Sequence, residues 1–192
     1  MIVAAVVLAA GGSRRLGRPK QLLSYRGTTL LDVTLATVRT ADLDQVVVAL
    51  GGAADEVRDQ VDLRDLDVVL NHDFRDGCAT SIRSALGAVR DDADGVVLLL
   101  GDQPGVSTDS IADLVGAAGD HAVGVVAYDD GLGHPLWFHR RMFETLAALH
   151  GDKAVWRLVD AGDDVLKVRV GGTIPPDVDT WADYEALLGV GE

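Results

Sequence analysis

The run Leu8-Ala9-Ala10-Gly11-Gly12-Ser13-Arg14-Arg15-Leu16-Gly17-Arg18-Pro19-Lys20-Gln21-Leu22-Leu23 sets glycines, a hydroxyl and four cations directly after an apolar stretch. Glycine lets backbone N–H groups approach phosphate oxygens closely, and arginine and lysine supply the balancing charge. The segment therefore reads as a cradle for a triphosphate; the plainer alternative is a solvated basic turn. Two familiar phosphate loops do not account for it. Gly12 to Gly17 has the spacing of a P-loop, but Arg18 and Pro19 stand where a lysine and a metal-binding hydroxyl are required. The Gly-x-Gly-x-x-Gly dinucleotide fingerprint is absent, and Gly51 and Gly52 occupy the place of a ribose-binding acid, which disfavours an NAD-type site.

A second constellation follows Val96-Val97-Leu98-Leu99-Leu100, where Gly101-Asp102-Gln103-Pro104 puts a carboxylate at the mouth of an apolar run. Magnesium takes one or two protein carboxylates and completes its octahedron with water and substrate phosphates, a task Asp102 fits. The competing reading is an ordinary turn aspartate before proline. The lone cysteine, Cys78, excludes an internal disulfide and a cysteine-based metal centre, and reads as a small buried hydrophobe. The five histidines form no His-Glu-x-x-His pattern.

These residues need a scaffold that brings strand ends together. Apolar runs at Ile2–Leu8, Gln45–Leu50, Asp67–Leu70, Gly95–Leu100, Ala122–Ala127 and Val165–Val168 read as strands covered on both faces. Helical patterns lie between them at Leu30–Arg39, Ala53–Val61, Ala79–Arg90, Thr108–Ala118, Arg140–Leu149 and Thr180–Leu188. Ser107 or Thr108 opens the fourth helix and Asp179 or Thr180 the last. The alternation predicts a three-layer α/β, Rossmann-like fold with a mostly parallel sheet, in which ligands bind outside the carboxyl ends of the strands. With 192 residues and no linker or repeat, residues 1–192 read as a single domain.

Charge is distributed unevenly. The net charge is −13, yet the first 31 residues hold Arg14, Arg15, Arg18, Lys20 and Arg26 and no acid. An acidic body excludes nucleic acid and anionic membranes as partners, while the local basic lip would draw a small polyanion. The apolar start runs straight into the glycine loop with no basic residue before it, which reads as a buried strand rather than a secretory segment and predicts a cytoplasmic protein.

The first loop resembles the signature of the MobA-like nucleotidyltransferases, Leu-Ala-Ala-Gly-x-Ser-x-Arg, a hydrophobic-Gly pair and Lys-x-Leu-Leu; Gly101-Asp102-Gln103-Pro104 is similar to their Gly-Asp-x-Pro. The resemblance runs from about residue 3 to residue 188. It implies a nucleotidyltransferase fold, with Leu8, Ala9, Ala10, Gly11, Gly12, Ser13, Arg15 and Lys20 on the nucleotide and Asp102 holding Mg²⁺. Arg15, Lys20 and Asp102 would then be the catalytic groups. Asn71, Gly77 and Ser81 match the element over the base, although the residues alone allow a strand terminator and a first-turn serine instead. Asp179 lies in Asp177-Val178-Asp179-Thr180, which resembles the family's closing motif and implies a second metal carboxylate; a helix cap is the alternative.

Gly133-His134-Pro135-Leu136-Trp137-Phe138 is similar to a segment of the cytidylyl-transferring branch that borders the acceptor, against the alternative of a surface histidine. Gly151-Asp152-Lys153-Ala154 departs from that branch's Gly-Asp-Lys-Gly, leaving Lys153 as an acceptor-phosphate contact or a solvated lysine. The branch implies CTP and phosphorylated molybdopterin as substrates and a molybdoenzyme as recipient of the product; the choice of CTP over GTP rests on Ala10, where guanylyl-transferring relatives tend to carry Gly. Three other readings remain open: transfer to a sugar or alcohol phosphate, an NAD(P)H-linked oxidoreductase resembling nicotine blue oxidoreductase, and a non-catalytic chaperone for the molybdenum cofactor.

Overall fold

The computed structural model describes residues 1–151, 154–162 and 164–189. In chain order the elements are β1 (Val3–Ala9), β2 (Ser24–Tyr25), β3 (Thr28–Thr29), α1 (Leu30–Arg39), β4 (Gln45–Leu50), α2 (Ala54–Gln60), β5 (Asp67–Leu70), α3 (Cys78–Leu86), β6 (Gly95–Leu100), α4 (Thr108–Ala118), β7 (Val123–Tyr128), β8 (Gly131–His139), α5 (Phe143–Ala147), α6 (Ala154–Ala161), β9 (Val165–Arg169) and α7 (Trp181–Gly189). A seven-stranded sheet has the order β5-β4-β1-β6-β8-β7-β9, and β2 pairs with β3 in a separate small ribbon.

Successive side chains of a strand point to opposite faces, so a strand apolar at every position feeds two cores. In β1, Val3, Ala5, Val7 and Ala9 pack with Leu31 and Leu35 of α1 and Ile111 and Leu114 of α4. Ala4, Val6 and Leu8 face the other way, into a cluster with Ile82 and Ala85 of α3 and Leu146 of α5. The result is the helix–sheet–helix sandwich expected from the alternation of elements, a three-layer α/β, Rossmann-like fold with a mostly parallel sheet. Side-chain caps start the helices: Thr29 Oγ1 accepts from the Asp32 amide at 3.1 Å for α1, and Ser107 Oγ from the Ser110 amide at 3.1 Å for α4.

The structure departs from the sequence reading in several places. Strand β8 was not delimited there; it is antiparallel to both β6 and β7 and lies between them. Proline cannot donate to a ladder and is tolerated inside a sheet only at an irregularity. Opposite Val125 and Val126 of β7 the pairing jumps from Leu136 to Gly133, leaving His134 and Pro135 as a bulge. Helix α6 was also unrecognised, although Val155, Leu158 and Val159 have helical spacing. The segment Arg140–Leu149 is shorter than a full helix, a 3₁₀ turn (Arg140–Met142) leading into five-residue α5. Finally β5 and β9 are the two edge strands, half-exposed rather than covered on both faces. No helix among the described residues is long and apolar enough to cross a membrane.

Candidate active site

At the carboxyl ends of β1 and β6 the chain forms a cleft of about 690 Å³. Its first wall is the loop after β1. Ser13 adopts a left-handed backbone (φ 45°), and its carbonyl accepts from the amides of Leu16 and Gly17, each at 3.1 Å, which closes a tight turn. The Ser13 hydroxyl accepts from the Lys20 amide at 2.9 Å, tying the turn to the 3₁₀ segment Lys20–Leu22. Beneath it, the buried Gln21 side chain donates to the carbonyl of Ala9 at 2.6 Å and to that of Gly11 at 3.3 Å, while its Oε1 has no partner. The glycine stretch is therefore held by its carbonyls, from below. On the outer side of this lip, Arg18 lines a shallower groove with Gly52, Glu56 and Phe74.

The facing wall is acidic. Gly101 donates its amide to the Leu8 carbonyl at 2.9 Å, drawing the end of β6 against β1; a Cβ there would lie 3.0 Å from Ala9 Cβ and from Leu31 Cδ1, which explains the glycine. Asp102 follows, buried. Gln103 donates to the Pro175 carbonyl at 2.9 Å and the Val178 amide to the Asp102 carbonyl at 3.3 Å, so the segment before α7 is fastened alongside. In that extended segment Val178 turns into a small cluster with Leu16, Leu23 and Leu187, while Asp177 and Asp179 line the cleft. Carboxylate oxygens of Asp102, Asp177 and Asp179 all lie within 4.8 Å of one another.

One ammonium joins the two walls. Lys20 Nζ donates to Asp102 Oδ2 and, at 2.7 Å, to Asp179 Oδ1; Arg15 donates to Asp179 Oδ2 at 2.6 Å from a more exposed position. Burial works against the Lys20 ammonium, but Asp102 and Asp179 outweigh it and hold its pKa above the ordinary lysine range. Burial likewise pushes the Asp102 carboxyl up while Lys20 pulls against it. The hydrogen bond from Lys20, joined by Arg15, holds Asp179 below the usual carboxylate range. Asp179 does not cap α7: Thr180 Oγ1 accepts from the Asp183 amide at 3.2 Å, and Asp183 Oδ2 accepts from the amides of Asp179 and Thr180 at 3.1 and 2.7 Å. That reciprocal cap leaves the Asp179 carboxylate for the cleft.

Arg14, Phe74 and Arg75 also line the cleft, and a further part of its lining is uncharged. His134, set inward by the bulge in β8, is 7% exposed, and burial lowers its pKa to about 4, so the imidazole is neutral near pH 7. It meets Trp156 of α6 edge-to-face at 5.5 Å, and Val155, Cys78, Ser81, Leu98 and Leu100 line the same cleft.

Residues 5–165 match the MobA-like NTP transferase domain. The chain belongs to that family. Nicotine blue oxidoreductase of Paenarthrobacter nicotinovorans is 36% identical over 114 residues, a match that takes in 59% of this chain and 55% of that protein, little more than half its length. Among solved structures, the Rv0371c homolog from Mycobacterium sp. strain JC1 is 51% identical with a TM-score of 0.94, covering 98% of this chain and 96% of that one. Rv0371c of Mycobacterium tuberculosis H37Rv, solved as a complex with manganese, is 46% identical with a TM-score of 0.90, covering 98% and 99%.

Three close carboxylates, two of them already bridged by a cation, suit a hard divalent ion in this MobA-like domain, and Asp102, Asp177 and Asp179 are the residues that would hold it. Leu8 to Ser13, Arg15, Lys20, Gly77, Ser81, Asp102, His134 and Asp179 all line the cleft. Asn71 does not. Its buried amide donates to Thr80 Oγ1 at 2.8 Å and Ser81 Oγ at 2.9 Å, bracing the loop against α3. Pro135, next to His134 in the bulge, is also absent from the cleft lining. Lys153 lies outside the described residues. Sequence reasoning gave no role to Asp177, Gln21 or Trp156. The Asp177-x-Asp179 spacing on an extended segment could have revealed the first; nothing local marks the other two.

Proposed function

We propose that this MobA-like domain, acting as a single cytoplasmic unit, transfers CMP from CTP to phosphorylated molybdopterin with release of pyrophosphate, using Mg²⁺. The observation that carries this reading is the meeting of the glycine lip and the acid cluster across one ammonium, within reach of a single triphosphate. In such a reaction an acceptor phosphate oxygen forms a bond to the α-phosphorus as the bond to the β-bridging oxygen breaks, and pyrophosphate leaves with that electron pair. No protein nucleophile is required. Catalysis is alignment plus neutralisation of developing charge.

The chain's own groups supply the alignment. Gln21 fixes the carbonyls of Ala9 and Gly11, which leaves the amides of the lip for phosphate oxygens. Lys20 and Arg15 bring positive charge to the same place. A divalent ion bound by the carboxylates adds Lewis-acid polarisation of the phosphates. Ala10, which lines the cleft, supports CTP over GTP through the family resemblance. The neutral wall of His134 and Trp156 suits the planar ring of a pterin better than a bare sugar phosphate.

The test is incubation with Mg²⁺, each nucleoside triphosphate in turn and a molybdopterin source, following pyrophosphate. Release that requires both CTP and the acceptor is expected; no release with any triphosphate overturns the reading, and binding without turnover selects a carrier role. The likeness to nicotine blue oxidoreductase makes NAD(P)H oxidation the second reading, so NADH is followed in parallel.

A further inference from the structure

We infer that Lys20 is a resident counter-ion for the metal ligands, displaced by the divalent cation and delivered by that displacement to the nucleotide's phosphates. The inference rests on the transfer reading for its phosphate half and on geometry alone for its metal half. Lys20 Nζ engages Asp102 and Asp179, two of the three carboxylates available to a metal. A second, doubly charged ion drawing on the same oxygens would face the ammonium at close range with little water between, since both the Lys20 and Asp102 side chains are nearly enclosed. The two cations are alternatives.

The lysine also has somewhere to go. Its backbone is pinned to the lip through the Ser13 hydroxyl, so only the side chain needs to move. Its Cε already lies against Gly11, 3.4 Å from the position a Cβ would take there, so a change of rotamer keeps the ammonium beside the lip. A buried ammonium without an anion is strongly disfavoured, so its displacement weakens metal binding until a phosphate receives it. Metal and nucleotide therefore bind with positive coupling through Lys20, and the empty site stays neutralised in place of three facing carboxylates that would repel one another.

Two measurements test this, neither of them turnover. In the first, Mn²⁺ affinity without nucleotide is measured by electron paramagnetic resonance. Lys20→Met should bind about tenfold tighter than the wild type because the competitor is gone, whereas Lys20→Arg should not tighten. The second uses the wild type, so it is independent of how the variants fold. The sequence has three lysines, Lys20, Lys153 and Lys167, so ¹⁵N-lysine labelling gives three side-chain signals. The Lys20 ammonium, enclosed and paired, should lose its protection from exchange as Mg²⁺ saturates the site, and regain a paired signal when CTP is added. Equal Mn²⁺ affinity in wild type and Lys20→Met, no Mn²⁺ binding by either, or a Lys20 signal unmoved at saturating Mg²⁺ would each overturn the inference. Pyrophosphate release persisting in the wild type would then leave the transfer reading intact.

Discussion

The two ends of the cleft are built on opposite electrostatic plans. At one end, Lys20, Arg15, Asp102 and Asp179 are linked by hydrogen bonds across strand ends of the parallel part of the sheet. At the other, His134 is kept uncharged by burial alone and touches an aromatic edge, on an antiparallel strand and a following helix. The charged end can be rebuilt only with its partners in register, since removing one member leaves another buried and unpaired. On the proposed reading, the triphosphate meets the coupled, charged end and the acceptor the uncharged one.

The largest break in that comparison is Asp102→Ala. It should lower the transfer rate by about 10³-fold or more, on the order of 4 kcal/mol, while circular dichroism and a cooperative melt show the fold retained. An unchanged rate would remove the carboxylate from the chemistry and make the charged end merely structural.

Next comes the pH dependence at the neutral end. His134 titrates at about 4 in the folded protein against 6.5 ordinarily, so between those values the unfolded chain binds the extra proton. The contribution is complete above pH about 6.5 and is lost as the pH falls toward 4, on the order of 3 kcal/mol in all. Urea melts across this range should show it, and His134→Phe should flatten the slope; an equal slope in both proteins would mean the imidazole is wet.

Trp156→Ala sharpens the contrast between the ends. It should raise the acceptor KM about tenfold, near 1.4 kcal/mol, with the KM for CTP unchanged. A parallel rise in both would show that the two ends are one site. The smallest effect separates Asp179 from its neighbour. Thr180→Ala should cost about 1 kcal/mol of stability through the lost cap and leave Mn²⁺ binding unaltered, whereas Asp179→Ala should weaken Mn²⁺ binding.

The same division governs how much was legible before the fold was seen. The bounds of β4, β5, β6, α1 and α4 coincide with the apolar runs and periodic stretches read from the chain, because each element's pattern is local. The lip and Asp102 were legible for the same reason: each follows a buried strand directly. β8 was not delimited, since its glycines and proline interrupt the apolar run and only a neighbouring strand supplies the bulge that accommodates them. Trp156 and Gln21 gave no sign, because their roles depend on what lies across the cleft.

From its own order of residues the chain settled which strands alternate with which helices, and that glycines, cations and a carboxylate would stand at strand ends. Periodicity and strand-end position are properties of neighbours along the backbone. Only tertiary packing decided that Val178 would turn into the cluster of Leu16 and Leu187, and so aim Asp177 and Asp179 at Asp102. The Lys20 bridge between residues 82 and 159 positions away along the chain arises there too. Such a contact is a balance of burial and charge that exists only once the sheet has closed the distance.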